Sequence, residues 1–154
     1  MVLRLTTALA CAGVVSGFGA YVTSGPGYEV ASLSTYPGYE GWMSVTGVVV
    51  VTETDLGISV SGTVNGLEPS VWGGLHIHEG TSCDVAGDVG GHYYEGMSED
   101  PWTTTYDSDS IGTAMPMFDV ADFTLDGAYP VSGRAIVVHA EDGTRVACGV
   151  LQEE

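Results

Sequence analysis

Residues 43–67 read MSVTGVVVVTETDLGISVSGTVNGL, and this stretch decides the fold class. Met43–Thr54 is dense in β-branched residues, whose stiff side chains suit a pleated surface. Ile58–Leu67 alternates apolar with small polar residues, the pattern of an antiparallel strand with one face on a core. Asp55-Leu56-Gly57 supplies a turn between them, so the two runs read as a hairpin. Working outward, Glu29–Ser34 predicts a strand before the turn TYPGYEG at 35–41. Beyond a connection at 68–74, Leu75–Glu79, two short runs within 112–126 broken near Pro116, Gly133–His139 and Arg145–Leu151 predict the rest. Asp142-Gly143 marks a tight turn between the last two strands. No long stretch carries a helical apolar period. The expectation is an all-β domain of about seven or eight strands, a Greek-key barrel or sandwich.

Composition narrows the partners. The chain has 154 residues, enough for one domain with a sizeable core. Twenty acidic residues face three arginines and no lysine, for a net charge of −17. Such a surface repels nucleic acid and anionic membranes and suits a salty or extracellular medium. No calcium-loop pattern accompanies the acids. Residues 1–19 resemble a secretory signal peptide, with one positive charge, an apolar small-residue run and possible cleavage after Gly17 or Gly19. The run is short for a membrane span, and a lipoprotein signal ending at Cys11 fits less well. Residues 20–28 read as a linker and 29–154 as the domain, secreted, or periplasmic in a bacterium. Cleavage removes Cys11 and leaves Cys83 and Cys148, an even pair that suggests one disulfide in an exported domain.

Chemistry concentrates in residues 73–94, GGLHIHEGTSCDVAGDVGGHYY, which hold His76, His78 and His92. The fourth histidine, His139, closes GRAIVVH at 133–139. His76 and His78 are two apart on a strand, so their rings point the same way. His92 comes from the long irregular segment 80–112, where loop freedom would let it swing in. Four imidazoles without a thiolate suit copper, although zinc or nickel also binds such ligands. Cys83 and Cys148 remain open as thiolate ligands if they are not paired. Met115 and Met117 read as packing residues, with a methionine copper relay as the alternative. Arg145 is a local anion trap or a surface partner of Glu141 or Asp142; Arg134, at a strand start, would satisfy backbone or carboxylate groups.

LHIHEG at 75–80 followed by Cys83, GGH ending at His92, GRAIVVH at 133–139 and GTRVACGV at 143–150 together resemble the copper/zinc superoxide dismutase family, from about Glu29 to Leu151. The resemblance implies an eight-stranded, immunoglobulin-like Greek-key β-barrel. It implies His76, His78 and His139 as ligands of one copper ion, and His92 as the histidine that bridges copper and zinc. Cys83 and Cys148 match the family's disulfide, and Arg145 its superoxide-guiding arginine. Arg145 and His92 are then the catalytic residues. The implied reaction converts superoxide to dioxygen and hydrogen peroxide through a Cu(II)/Cu(I) cycle.

The chain also departs from the family. No histidine lies between His92 and His139, so the zinc site is expected to be absent. The family's long charged loop shrinks to AEDGT at 140–144. With GGHYY and DPWTTTY, these features resemble the copper-only, repeat-type branch. A carboxylate should then orient His92 in place of zinc. Asp109 is the first candidate by chain order, followed by Asp107, Glu95 and Asp100. Expected partners are superoxide, no nucleic acid, no membrane after cleavage, and at most a weak homodimer, since no apolar interface stripe stands out. The competing reading is a non-catalytic copper-binding or structural extracellular module on the same barrel.

Overall fold

The computed structural model describes residues 27–154. The expected signal at 1–19 and nearly all of the expected linker lie outside the described residues; Tyr28, assigned to that linker, instead opens the first strand. Eight strands follow in order: β1 (Tyr28–Thr35), β2 (Thr46–Thr54), β3 (Gly57–Asn65), β4 (Trp72–Ile77), β5 (Thr105–Asp107), β6 (Met117–Ala121), β7 (Ala135–His139) and β8 (Arg145–Val150). All neighbours are antiparallel, in the order β5-β4-β7-β8-β1-β2-β3-β6. A single bridge between Ser108 and Ala114 draws the two ends together into a nearly closed barrel. This is the expected all-β Greek-key architecture.

The hairpin at 43–67 forms as its alternation requires, in register from Thr54↔Gly57 to Thr46↔Asn65. Val49, Val51, Ile58, Val60 and Val64 are fully buried and meet Leu75, Ile77 and Ile136 from the opposite wall. Phe123 plugs one end, its ring 5.0 Å from Trp102 and 6.0 Å from Tyr93. Fully burying an aromatic of this size gives about 3 kcal/mol of transfer free energy, so the plug is a large local contribution.

β7 is buried along its whole length, and apolar up to its last residue, His139, because it is covered on both faces. Its inner face joins the main core. Its outer face packs with Tyr36, Val89 and Cys148 under the segment that follows β4. The disulfide Cys83–Cys148 fixes that segment to β8.

The segment 80–112 is more regular than its sequence suggests. It contains a short 3-10 turn at Ala86–Asp88 and the strand β5, which pairs with Trp72–Gly74. Near its start it doubles back, with Glu79 N–H donating to Gly91 O and Gly80 N–H to Val89 O. Met115 and Met117 are not packing residues: they are 78% and 82% exposed on the outside of the barrel. β6 alternates, and Phe118 and Val120 take the inward positions instead.

The disulfide spans 65 residues of sequence. Closing a loop of that size removes about 4 kcal/mol of unfolded-state entropy. Reduction should therefore lower the urea midpoint by an amount equivalent to about 4 kcal/mol. Equilibrium unfolding with and without reductant measures it.

Candidate metal centre

The barrel brings all four histidines together. β4 and β7 lie side by side, pairing Gly74 with His139 and His76 with Val137. Between Val138 and His139 the β7–β8 ladder slips by one residue, which sets His139 opposite Arg145. Such irregularities re-aim a side chain at the end of a strand. His92 does not swing freely. Its backbone bridges to His78, and Tyr93 N–H donates to Ile77 O, so the doubled-back segment docks as a short extra ladder. One nitrogen from each of His76, His78, His92 and His139 falls within 4.8 Å of the others.

The tautomers follow from the outer partners. A carbonyl oxygen only accepts, so a ring nitrogen bonded to one must carry the proton. His76 Nε2 donates to Thr104 O at 3.0 Å, His78 Nδ1 to Gly90 O at 3.1 Å, and His139 Nδ1 to Gly143 O at 3.1 Å. His92 Nδ1 lies 2.7 Å from Asp100 Oδ2, which likewise accepts. Each neutral ring then turns a bare lone pair inward. His76 Nδ1 is buried and has no protein partner. His78 Nε2 and His139 Nε2 sit 3.2 Å apart with no proton left to place between them. Lone pairs crowded in this way repel unless a cation sits among them, so the donor set fits a metal ion. All-imidazole coordination suits copper and also zinc. The ligating atoms would be His76 Nδ1 and Nε2 of His78, His92 and His139.

Burial keeps three of the rings, His76, His78 and His139, neutral. Burial, then the charges of His139 and His92, push His76 down to about 4, against the smaller raising effects of Thr104 and Asp100. Burial dominates for His78, pushed down to about 3; its bond to Gly90 opposes this, and Arg145 adds to it. Burial also lowers His139. Neutral imidazole is the form that ligates, so protons compete weakly for these nitrogens at neutral pH.

Of the carboxylates weighed for His92, the one in contact is Asp100. Asp109 is not: its Oδ1 accepts from the N–H groups of Ile111 and Thr113 and shapes the turn between β5 and β6. Asp100 Oδ1 accepts from Trp102 N–H at 2.9 Å, and Trp102 is anchored in the core with its indole N–H on Tyr93 O. Burial pushes the Asp100 carboxyl upward, but Trp102 N–H and the His92 bond outweigh it and hold it below its ordinary value.

Arg145 donates to Tyr36 Oη at 2.9 Å, and Tyr36 donates to Ala86 O. Among the described residues it makes no carboxylate ion pair, so Glu141 and Asp142 do not neutralise it. Arg134 donates to Pro130 O and Glu79 O and lies 3.4 Å above the Tyr93 ring, a backbone-satisfying role as expected.

Two residues absent from the sequence reading shape the site. A Cβ on Gly74 would sit 2.6 Å from His76 Cε1, and one on Gly73 would collide with His139 O and the Tyr106 hydroxyl, which are hydrogen-bonded to each other. The paired glycines directly before LHIH were the available signal.

Two outcomes test this geometry. Gly74→Ala should displace the His76 ring and weaken copper binding by about tenfold or more, as loss of ligand orientation does, measured by competitive chelation. The second concerns pH. His76 and His78 are held below the ordinary 6.5, so between that value and about 4 the unfolded chain binds more protons than the folded one. Metal-free protein should therefore lose stability as pH falls through this window, seen as a falling thermal midpoint.

Comparisons with known proteins agree with the fold and place the chain in a family. Residues 45–151 match the model of the copper/zinc superoxide dismutase (SODC) family. An extracellular superoxide dismutase [Cu-Zn] from Haemonchus contortus is 29% identical over 136 residues, covering 68% of this chain and 72% of its own. A superoxide dismutase [Cu-Zn] from Deinococcus radiodurans is 29% identical over 142 residues, covering 70% and 78%. Among solved structures, the clock protein EA4 superposes with a TM-score of 0.65 at 21% identity, over 82% of this chain and 94% of that one, a likeness of fold. With residues 45–151, most of the barrel, inside the family match, this chain belongs to the copper/zinc superoxide dismutase family.

Proposed function

We propose that this protein is a secreted copper-only superoxide dismutase, converting superoxide to dioxygen and hydrogen peroxide without a zinc site. The observation that carries this reading is the partner of His92 Nδ1. In a two-metal site that nitrogen would face zinc; here it faces Asp100 at 2.7 Å. The chain has only four histidines, and all of them belong to one cluster. The disulfide, the acidic surface and the extracellular relative support secretion.

Bound copper supplies the one-electron chemistry. The chain supplies the rest. His76, His78 and His139 form a fixed three-ring grip, each held at its outer nitrogen by a backbone carbonyl. His92 is the ring suited to take and return a proton at Nε2, because Asp100 compensates the charge of its imidazolium form. Arg145 carries an unneutralised positive charge beside His78 and His139, close enough to bear on both rings. It would draw in and orient the anionic substrate. The cleft over the rings is bordered by Trp72, Thr105, Glu141 and Asp142, and the five-residue turn 140–144 leaves it broad. A net charge of −17 works against attraction at long range. The anion is captured close to Arg145, and the rate should fall little with added salt.

Metal analysis of the mature protein with a superoxide-consumption assay tests the reading. Copper without zinc, together with turnover, is the expected result, and His139→Ala should lose both the metal and the activity. Asp100→Asn should keep copper but lose about tenfold in rate and shift the pH profile. Arg145→Ala should keep copper and lose about tenfold or more. Bound copper without turnover would favour the non-catalytic copper-binding module.

A further inference from the structure

Tyr36 lies in the turn TYPGYEG at 35–41, to which neither the metal centre nor the proposed reaction gives a part. Its ring is buried and packs with Val89, Ala135, Val137 and Cys148. Its backbone N–H donates to Val146 O at 3.0 Å, one residue past Arg145 on β8. The turn behind it closes with Tyr39 N–H on Tyr36 O. A buried ring on a stapled backbone cannot follow a mobile neighbour, so its hydroxyl is a fixed point. That hydroxyl donates to Ala86 O at 3.2 Å and accepts from Arg145 Nη1 at 2.9 Å. Its one proton is committed to the carbonyl, which leaves a lone pair for the guanidinium.

We propose that Tyr36 is the positioning residue of Arg145: its hydroxyl fixes the guanidinium beside the copper ligands without discharging it. This rests on the reading of Arg145 as the group that draws in the anion. An unheld arginine samples many rotamers, and only some of them present its fork to an anion at the metal. A carboxylate would hold the side chain but would cancel its charge, and 20 acidic residues make that partner the easiest to find. Among the described residues the guanidinium instead bonds to Tyr36 Oη and makes no carboxylate ion pair. The phenol is a neutral acceptor, and it takes one N–H of the fork. The guanidinium carbon lies 5.7 Å from the centre of the Tyr36 ring, whereas that of Arg134 sits 3.4 Å above Tyr93. Arg145 is therefore held end-on by the hydroxyl, not stacked on the ring.

The other end of the bond sets where the charge stands. Ala86 opens the short 3-10 turn in the segment that Cys83 ties to β8. The same segment supplies Gly90, the acceptor for His78, and ends in His92. Arg145 itself pairs with His139 across the β7–β8 ladder. One hydroxyl thus references the anion-binding charge to the segment that places two of the four rings.

Tyr36→Phe keeps the buried ring and removes only the hydroxyl. In the copper-loaded protein it should leave the copper content unchanged and weaken azide binding to Cu(II), read by absorbance titration, by about fivefold. The superoxide-consumption rate should fall by a similar factor. The same change made in Arg145→Ala protein should cost nothing further in either measurement, because the hydroxyl acts through the guanidinium. A merely structural role would weaken both backgrounds alike. NMR relaxation of the Arg145 guanidinium nitrogens in the unmodified, Cu(I)-loaded protein should show the group restrained, and Tyr36→Phe should release it. Azide affinity and guanidinium mobility do not depend on turnover. A copper protein that consumes no superoxide would therefore sink the dismutase reading alone, while these two measurements still decide the role of Tyr36. Unchanged azide affinity in Tyr36→Phe overturns the proposal. So does an equal loss on both backgrounds, or a freely rotating guanidinium in the unmodified protein.

Discussion

The site depends on one arrangement, repeated four times: an imidazole whose outer nitrogen is tied to an immobile acceptor. Three of the acceptors are backbone carbonyls, of Thr104, Gly90 and Gly143, and the fourth is Asp100. Tying the outer nitrogen fixes the tautomer, and the tautomer fixes where the lone pair points. Burial then keeps the His76, His78 and His139 rings unprotonated where the lone pairs converge. Among these residues, orientation and charge state share one cause.

The barrel is arranged to deliver these acceptors. Thr104 reaches His76 because β5 pairs with β4, which also places the Thr104 hydroxyl on Leu75 O. Gly90 reaches His78 because the segment after β4 doubles back over β7. Gly143 reaches His139 because the β7–β8 turn is short, with Ala140 and Thr144 closing it. The glycine pair before His76 clears space for the ring and for the Tyr106–His139 contact. Fold and site are therefore difficult to change separately.

Seven of the eight strands, the histidines that cluster and the cysteine pair were legible because each rests on local pattern or residue type; β5, and the single strand where two were expected in 112–126, were not. Alternation at 43–67 dictated the hairpin, and an H-x-H on a strand dictated two rings on one face. The carboxylate of His92 was less legible, because its choice depends on a distant event. Trp102 inserts into the core beside Phe123, and Asp100 is carried to His92 by that insertion. Chain order alone favoured Asp109, which is occupied in a turn. The exposure of Met115 and Met117 was hidden for the opposite reason. Apolar residues in a strand suggest a core, but which face they occupy depends on register, and β3 sets that register.

The disulfide also bears on how the protein matures. Cys83 lies between His78 and Gly90, in the segment that both caps β7 and returns with His92. Apart from its bond to Cys148, that return is held by backbone bonds, the small cluster around Val89, the Tyr36 hydroxyl donating to Ala86 O, and Tyr93 in the main core. A newly made chain whose cysteines are still free lacks the covalent tie between this return and β8, and the placing of His92 and of Gly90, the acceptor for His78, then rests on non-covalent contacts alone.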